Sequence, residues 1–336
     1  MEQRTWITVK WPLWVILAVF SFSMFILGMM QPATPAKGEA VVIVVKTGMN
    51  SEQIAQMLYK QGVIESAGMF QLVAKWKSLG NSLQAGEYSI IKGTAVTKIV
   101  DMLARGQTNY QQLTIPEGYT VNQIAKLIGD KQLGNPEKFR ELARRQAGYD
   151  YMADTDPAVM YATEGYLFPD TYQIAKGATE EELLNMLLHQ FNEKLTSQMR
   201  ERAKTMGLSV KELIILASLV EKEAQLEKDR PVIAGVFLNR LKQDMPLQSC
   251  ATIQYILGYP KPELTVEDTR IASPFNTYQH RGLPPGPIAN PGMASINAVL
   301  HAAPTDYLYF VADKNGAHHF SRTYDEHLQE IEKVRN

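Results

Sequence analysis

A glutamate on an apolar helical face is the first feature of this 336-residue sequence that suggests chemistry. Ser209 is a good N-cap and Glu212 completes a capping box, so a helix is predicted over about residues 210–228. Helical periodicity places Glu221 in the middle of the apolar stripe of that helix. The apolar residues on the same face are Ile214, Ala217 and Ala224.

Burial would give the Glu221 carboxyl the properties of a general acid. An unpaired carboxylate in an apolar environment is costly, so burial raises its pKa and favours the protonated form. Such a group can protonate a leaving oxygen. The alternative is a structural glutamate paired with a buried arginine, for which Arg240 on the next predicted helix is a candidate. Glu223 points about 160° away on the same helix and is predicted to be solvated.

Three polar segments that follow this helix combine amide and hydroxyl side chains with rigid turns. The first segment is a polar run after Pro246, and the proline and glycine of the stretch that follows exclude a helix or a central strand there and predict a shaped loop. Amide and hydroxyl groups on such loops suit sugar hydroxyls and N-acetyl groups, although a purely structural loop is the alternative. The segments are 247–252 (LQSCAT), 273–278 (SPFNTY) and 282–292 (GLPPGPIANPG).

Metal and disulfide chemistry are not predicted. His318, His319 and His327 have no standard zinc spacing, and the HExxH motif is absent from the sequence. Cys250 is the single cysteine, which excludes a disulfide framework. The 34 basic and 35 acidic residues give a net charge of −1, which argues against binding nucleic acid through massed positive charge.

The N-terminal residues predict how the chain is placed relative to a membrane. Residues 11–30 form an apolar run without charge, long enough for a helix that spans the roughly 30 Å bilayer core. Arg4 and Lys10 in the tail at 1–10 favour a cytoplasmic N-terminus and an extracytoplasmic remainder. Residues 31–40 are predicted to be a linker. A cleaved signal peptide is the alternative.

A strand–glycine–helix pattern recurs after the linker. Residues 41–45 (VVIVV) predict a strand that leads through Gly48 into an amphipathic helix. Similar units pass through Gly93 and Gly118, and the tripeptide at 53–55 (QIA) returns at 123–125. These units predict small α/β modules, which serve as scaffold, as carbohydrate-binding modules or as docking modules.

Longer elements are predicted in the C-terminal half. A helix is predicted from about residue 179 to 206. A strand over 307–312 is predicted to form a hairpin with a strand that contains His318 and His319, whose side chains would point to opposite faces.

Taken together, the motifs resemble those of the endolytic murein transglycosylases, the MltG/YceG-like family. The resemblance implies an α+β fold with a single N-terminal transmembrane helix, a LysM-like α/β module at 41–110 and a larger mixed α+β catalytic domain at 111–336. The third strand–turn–helix unit, at 111–146, belongs to that domain. The matching segments, besides the three polar segments above, are 164–172 (EGYLFPDTY), 216–223 (LASLVEKE), 235–241 (GVFLNRL) and 316–320 (GAHHF).

The same resemblance implies an activity and a set of site residues. The family cleaves the β-1,4 bond between MurNAc and GlcNAc within nascent peptidoglycan strands and leaves a 1,6-anhydro-MurNAc end, without a metal or other cofactor. The motif LASLVEKE assigns the catalytic glutamate to Glu221. Gln248, Asn276 and Tyr278 are predicted to hold the sugar, and Glu164 to orient a partner or support the fold. Cys250 stands where an aspartate is often expected.

The resemblance also implies partners and a location. Peptidoglycan strands and the cytoplasmic membrane are the expected partners, with peptidoglycan synthases in addition and no nucleic acid. The expected location is the cytoplasmic membrane, as a single-pass protein. Two other functions stay open, namely a non-catalytic wall-binding or division scaffold and a muramidase-type hydrolase. The hydrolase would need a second carboxylate, such as Asp170 or Glu164.

Overall fold

The computed structural model describes residues 39–145, 148–153, 156–261 and 263–335. The chain divides into two compact units, the first ending at Gln111 and the second beginning at Gln112.

In its described part, residues 39–111, the first unit packs three helices against one face of a two-stranded sheet. Strands β1 and β2 run antiparallel, with Ala40 opposite Ile91 and Val45 opposite Gly86. Because strand side chains alternate, Ile43 and Tyr88 enter the core while Val42 remains exposed. The elements are β1 (Ala40–Val45), α1 (Ser51–Lys60), α2 (Ala67–Trp76), β2 (Gly86–Ile91) and α3 (Val96–Ala104).

The repeated tripeptide marks two helices with the same N-terminal cap. In α1, the side chains of Asn50 and Gln53 each bind the other's backbone N–H. Thr120 and Gln123 form the same reciprocal capping box on α4. The repeat in sequence therefore corresponds to a repeat in local structure.

The second unit is mainly helical and carries two small sheets. Strand β3 pairs with β4, and β5 pairs with β6 as an antiparallel hairpin. Short 3₁₀ turns lie at Asp150–Met152, Glu227–Asp229 and Asp268–Arg270. The strands and helices are β3 (Tyr110–Thr114), α4 (Val121–Asp130), α5 (Pro136–Ala143), β4 (Thr171–Ala175), α6 (Glu180–Lys194), α7 (Ser197–Thr205), α8 (Val210–Glu223), α9 (Arg230–Lys242), α10 (Cys250–Leu257), α11 (Met293–Leu300), β5 (Tyr309–Ala312), β6 (His318–Ser321) and α12 (Tyr324–Arg335).

Helix α8 is the central element of the second unit. Every residue from Leu213 to Val220 is buried, and the helix packs against α9, α10 and α11. Ser209 and Glu212 form the predicted capping box at its start. The helix ends at Glu223 rather than near Lys228, because Ala224 adopts an extended conformation with φ −73° and ψ 121°.

The predicted long helix over 179–206 is two helices. Leu195 leaves the helical conformation with ψ 82°, and the Thr196 side chain accepts a hydrogen bond from the N–H of Met199 to cap α7. Leu195 is buried at this corner, so tertiary packing outweighs the continuous helical pattern.

The predicted transmembrane helix requires a correction to the fold class and to the localisation. Residues 11–30 lie outside the described part of the chain. Among the described helices, none is long and apolar enough to cross a bilayer. The longest of these, α6, has 15 residues, or about 22 Å of rise, and carries several charges. The described fold is mixed α+β, and the predicted single-pass membrane insertion is not supported.

Candidate active site

The end of helix α8 places the Glu223 carboxyl against the start of α10. Glu223 Oε1 accepts a hydrogen bond of 2.5 Å from Ser249 Oγ and lies 3.5 Å from the backbone nitrogen of Ala251. Burial raises the pKa of this carboxyl, while the hydrogen bonds from Ser249 and the Ala251 backbone and the guanidinium of Arg240 act in the opposite direction. The arrangement favours a carboxyl that keeps its proton at a higher pH than a free glutamate.

Glu223 lines a cavity of about 600 Å³ between α8, α10, the β5–β6 hairpin and α12. Among the described residues that line this cavity, Glu223 alone carries a carboxyl group. The other polar or aromatic lining groups include Arg240, Gln248, Cys250, Tyr278, Tyr309 and His318. The cavity thus presents one acid surrounded by hydrogen-bonding and aromatic groups.

Arg240 and Gln248 form one wall of this cavity. The Arg240 guanidinium donates to the carbonyl oxygens of Leu308 at 2.6 Å and Leu247 at 2.9 Å, which joins α9 to the loops on both sides. Gln248 has a left-handed backbone with φ 49°, and its side-chain oxygen is 3.4 Å from the guanidinium. The predicted sugar-binding residue Gln248 therefore faces the cavity, and Arg240 is not the partner of Glu221.

Tyr278 lines the same cavity. Asn276 is not among the lining residues and instead binds the backbone of Tyr278. The Tyr278 hydroxyl lies 3.1 Å from Cys250 Sγ, and burial raises the pKa of both groups. Asn276 is fully buried; its amide nitrogen donates to the carbonyls of Thr269 and Ile271. Its Oδ1 accepts from the backbone N–H of Tyr278 at 2.9 Å. Asn276 thus fixes the loop that presents Tyr278.

The two adjacent histidines of β6 point in opposite directions, as the strand pattern predicts. The His318 side chain is only 3% exposed, and its Nδ1 and backbone nitrogen lie 3.2 and 2.9 Å from Asp229 Oδ2. His319 is 41% exposed and lies near Asp313. Within the described residues, no group of three or more His, Cys, Asp or Glu is arranged to hold a metal ion. His318 is therefore a fixed ring on the cavity wall beside Glu223.

Glu221 occupies a different environment. Its carboxyl accepts hydrogen bonds from Ser295 Oγ at 2.7 Å and from the N–H of Gly292 at 3.0 Å, both at the start of α11. Arg230 Nη1 lies 3.2 Å away, and the Glu221 side chain is 6% exposed. Arg230 also donates to Ser295 Oγ. Glu221 is buried, as the helical pattern predicts, but in an ion pair with Arg230 that joins α8, α9 and α11.

Glu164 is a buried structural carboxyl. It accepts from the N–H of Val121 at 3.0 Å and from the side-chain amide of Asn290 at 3.2 Å, and the hydroxyl of Tyr255 lies at 3.4 Å. Burial raises its pKa to about 8 despite these donors. Glu164 does not line the cavity of Glu223.

The helical pattern predicts a solvated Glu223, and the structure contradicts this, because its carboxyl lines a cavity and is largely buried. An apolar stripe identifies the side chains that enter the core, but it does not identify those that enter a cavity on the opposite side. The available signal was the motif LASLVEKE itself, which contains two glutamates two positions apart. The sequence pattern gives no sign that Ser249 binds the Glu223 carboxyl, because Ser249 lies 26 residues later in the chain.

Comparison with known proteins settles the family. The sequence model of the YceG-like family matches residues 43–333. The chain belongs to the YceG-like family. A relative from Bacillus subtilis, named endolytic murein transglycosylase, is 37% identical over 91% of this chain and 88% of its own length. A relative of the same name from Streptococcus pneumoniae D39 is 33% identical over 91% of this chain, which spans 60% of that longer protein.

A solved structure agrees with this assignment. The 2.6 Å crystal structure of a yceG-like protein from Listeria monocytogenes is 31% identical, with a TM-score of 0.59. The alignment covers 88% of this chain and all of the other. These relationships confirm the family predicted from the motifs and the enzyme class, a lytic transglycosylase acting on peptidoglycan. None of these relatives is named as a scaffold or as a hydrolase.

Proposed function

We propose that the chain cleaves the β-1,4 bond between MurNAc and GlcNAc within peptidoglycan strands, with Glu223 as the catalytic acid and base. One observation carries the proposal: Glu223 is the only carboxyl among the described residues of the cavity, and burial raises its pKa. A protonated carboxyl in a cavity with sugar-binding side chains matches the activity named for the curated relatives.

The reaction needs no second protein carboxylate. Protonated Glu223 donates its proton to the glycosidic oxygen, and the bond to MurNAc C1 breaks through an oxocarbenium-like transition state. The resulting carboxylate accepts the proton of the MurNAc C6 hydroxyl while O6 bonds to C1. The products are a strand with a free GlcNAc C4 hydroxyl and a strand with a 1,6-anhydro-MurNAc end, and Glu223 is protonated again. Cleavage inside a nascent strand would end its elongation.

The surrounding contacts give Glu221 a different role. Its carboxyl is occupied by Arg230, Ser295 and the N–H of Gly292, so it is less suited to exchange a proton with a substrate. Such a pair holds three helices in register next to the cavity. We therefore assign to Glu223 the catalytic role that the motif gave to Glu221, and to Glu221 a positioning role.

Gln248 and Tyr278 are proposed to hold the sugar. Both face the cavity, and amide and phenol groups donate to and accept from sugar hydroxyls and N-acetyl groups. Asn276 acts through Tyr278, whose backbone it fixes. Glu164 acts on the fold, through its bonds to the start of α4 and to Asn290.

The two units are proposed to have different roles. Residues 41–110 form a LysM-like module, in keeping with two strands that enclose two helices, and residues 111–336 form the catalytic domain. Peptidoglycan synthases are the proposed protein partners, since strand termination must act on strands that are being made. Co-purification of a synthase with the full chain, and its loss when residues 41–110 are deleted, would test the partner and the module together.

Mass spectrometry of digested glycan tests the reaction directly. Long uncrosslinked strands are incubated with the wild-type protein and with Glu223→Gln as the matched control. The expected products end in 1,6-anhydro-MurNAc, lighter by one water than a reducing end, and form only with the wild type. Reducing MurNAc ends would identify a hydrolase instead. Absence of any cleavage by a folded wild-type protein would contradict the proposed activity and favour the non-catalytic scaffold function.

A further inference from the structure

A second cavity of about 360 Å³ adjoins the one that contains Glu223. It lies between α4, α5 and α10, and none of its lining residues belongs to the proposed catalytic set. Lys222 and Gln254 line both cavities, so these two side chains form the boundary between them. A ligand that occupies the first cavity can therefore continue into the second past these two residues.

The lining of the second cavity is basic. Lys126, Arg140 and Lys222 contribute three cationic side chains, and the described lining includes no carboxyl group. Lys126 pairs with Asp130, and Arg140 with Glu137, both at 2.6 Å, and neither of these carboxylates is among the lining residues. Lys222 lies 3.5 Å from the uncharged carbonyl of Gly118. The described lining thus presents cations and no carboxyl group, with two cations balanced by carboxylates that do not line the cavity and with Lys222 at the boundary.

Amide and aromatic groups complete the lining. Asn122, Gln123 and Gln254 provide donors and acceptors, and Tyr259 is 56% exposed beside them. This combination suits a ligand that is polar, partly apolar and negatively charged. A bare neutral sugar would not use the cations.

We propose that this cavity binds the stem peptide of a MurNAc residue through the free carboxylates of that peptide. The proposal rests on the proposed function, because it takes a peptidoglycan strand as the ligand of the neighbouring cavity. Each MurNAc carries a peptide through its lactyl group, and the peptide has carboxylates that Lys222, Lys126 and Arg140 can attract. The cavity then selects strands that still carry peptides.

Gln123→Glu tests the charge of the cavity with little change of structure. Gln123 Oε1 accepts from the N–H of Thr120 at 2.9 Å, and a glutamate fits this capping box equally well. The matched control is Gln53→Glu, which makes the same change in the same kind of capping box on α1 and is not among the lining residues of this cavity. Lys126→Gln, which removes a cation from the cavity, is the second variant.

The substrates are peptide-bearing strands and strands from which an amidase has removed the peptides. The amidase leaves the lactyl carboxylate free, so the two substrates separate the two sources of negative charge. On peptide-bearing strands, kcat/KM of Gln123→Glu is expected to fall roughly fivefold, as for one like-charge contact at a partly exposed site, and to recover at high salt. Lys126→Gln is expected to lose activity in the same direction, whereas Gln53→Glu matches the wild type.

On denuded strands, the same variants are expected to match the wild type. Equal losses on both substrates would assign the cavity to the glycan itself or to the lactyl carboxylate and would overturn the proposal. Unchanged kcat/KM on both substrates would overturn it as well. These outcomes require an active wild type, so they are distinct from failure of the proposed function, in which the wild type forms no anhydro ends from either substrate.

Discussion

Glu221 and Glu223 lie two residues apart on α8, yet their carboxyls contact different partners on different neighbouring helices. Glu221 binds Arg230 and the start of α11, whereas Glu223 binds Ser249 at the start of α10 and faces a cavity. A spacing of two residues in a helix turns the side chains about 160° apart, which explains the separation. One carboxyl joins three helices, while the other lines a cavity.

Substituting each glutamate separately distinguishes these roles. Glu223→Gln is expected to lower the rate of anhydro-end formation by about 10²–10⁴-fold, because an amide cannot donate the proton, with little change in thermal stability. Glu221→Gln is expected to cost about 2–4 kcal/mol of unfolding free energy, because it leaves the charge of Arg230 unpaired. Its activity per folded molecule is expected to stay within about tenfold of the wild type. Activity retained in Glu223→Gln but lost in a stably folded Glu221→Gln would reverse the assignment.

The pH dependence of activity is expected to follow the protonation of Glu223. The acid must be protonated at the start of the reaction, so kcat/KM falls as pH rises through its pKa. Burial raises that pKa above the ordinary 4.5, so the descending limb lies at higher pH than for a free glutamate.

Ser249→Ala tests whether the pKa of Glu223 sets the pH at which activity declines. The Ser249 hydroxyl donates to the Glu223 carboxylate and lowers its pKa, so its removal is expected to move the descending limb to higher pH. The control is Ser273→Ala in a neighbouring loop, whose hydroxyl accepts from the N–H of Phe275. A limb that moves to lower pH, or that does not move, contradicts the proposed contact between Ser249 and the acid.

Stability is expected to depend on pH through Glu164. The folded-state pKa of about 8 exceeds the ordinary 4.5. The protonated carboxyl therefore makes its full contribution to the free energy of unfolding below about pH 4.5. That contribution is lost as the pH rises through about 8. Glu164→Gln cannot ionise and is expected to show a smaller decline over that interval. Urea unfolding at several pH values measures both curves, and parallel curves would argue against ionisation of Glu164 in the fold.

Two glycines with similar backbones give a matched test of packing around the EGYLFPDTY segment. Gly165 and Gly177 have φ of +88° and +85°, so alanine at either position is strained by about 1–2 kcal/mol. A Cβ at Gly165 would also lie 2.5 Å from Pro287, while one at Gly177 meets no atom within 4 Å. Gly165→Ala is therefore expected to cost about 1–3 kcal/mol more in unfolding free energy. Equal costs would mean that Pro287 moves away freely.

Local patterns predicted many of the elements, because local chemistry determines them. The β-branched run at 41–45 forms β1, and the capping residues at 209 and 212 start α8. The alternation in β6 correctly predicted that His318 and His319 point to opposite faces, and the structure shows that His318 is the buried one. The antiparallel β5–β6 hairpin was also predicted correctly.

The remaining features depend on contacts between distant residues. The break between α6 and α7 at Leu195 follows from packing of that side chain into the core. The Glu221 partner is Arg230 rather than the predicted Arg240, which instead binds three loop carbonyls. Asn276 is polar and lies in a motif, yet its side-chain amide donates to backbone carbonyls of the fold. In each case residue type and spacing were compatible with several partners, and only the tertiary structure selects one.

The early end of α8 has an electrostatic consequence for the proposed acid. A helix carries partial negative charge at its C-terminus, where the last carbonyl groups have no partner within the helix. Glu223 is the final residue of α8, so a negative carboxylate there is opposed by the helix dipole. The dipole thus favours the protonated state before the bond breaks and favours return of the proton afterwards. Helix length would then be part of the catalytic apparatus.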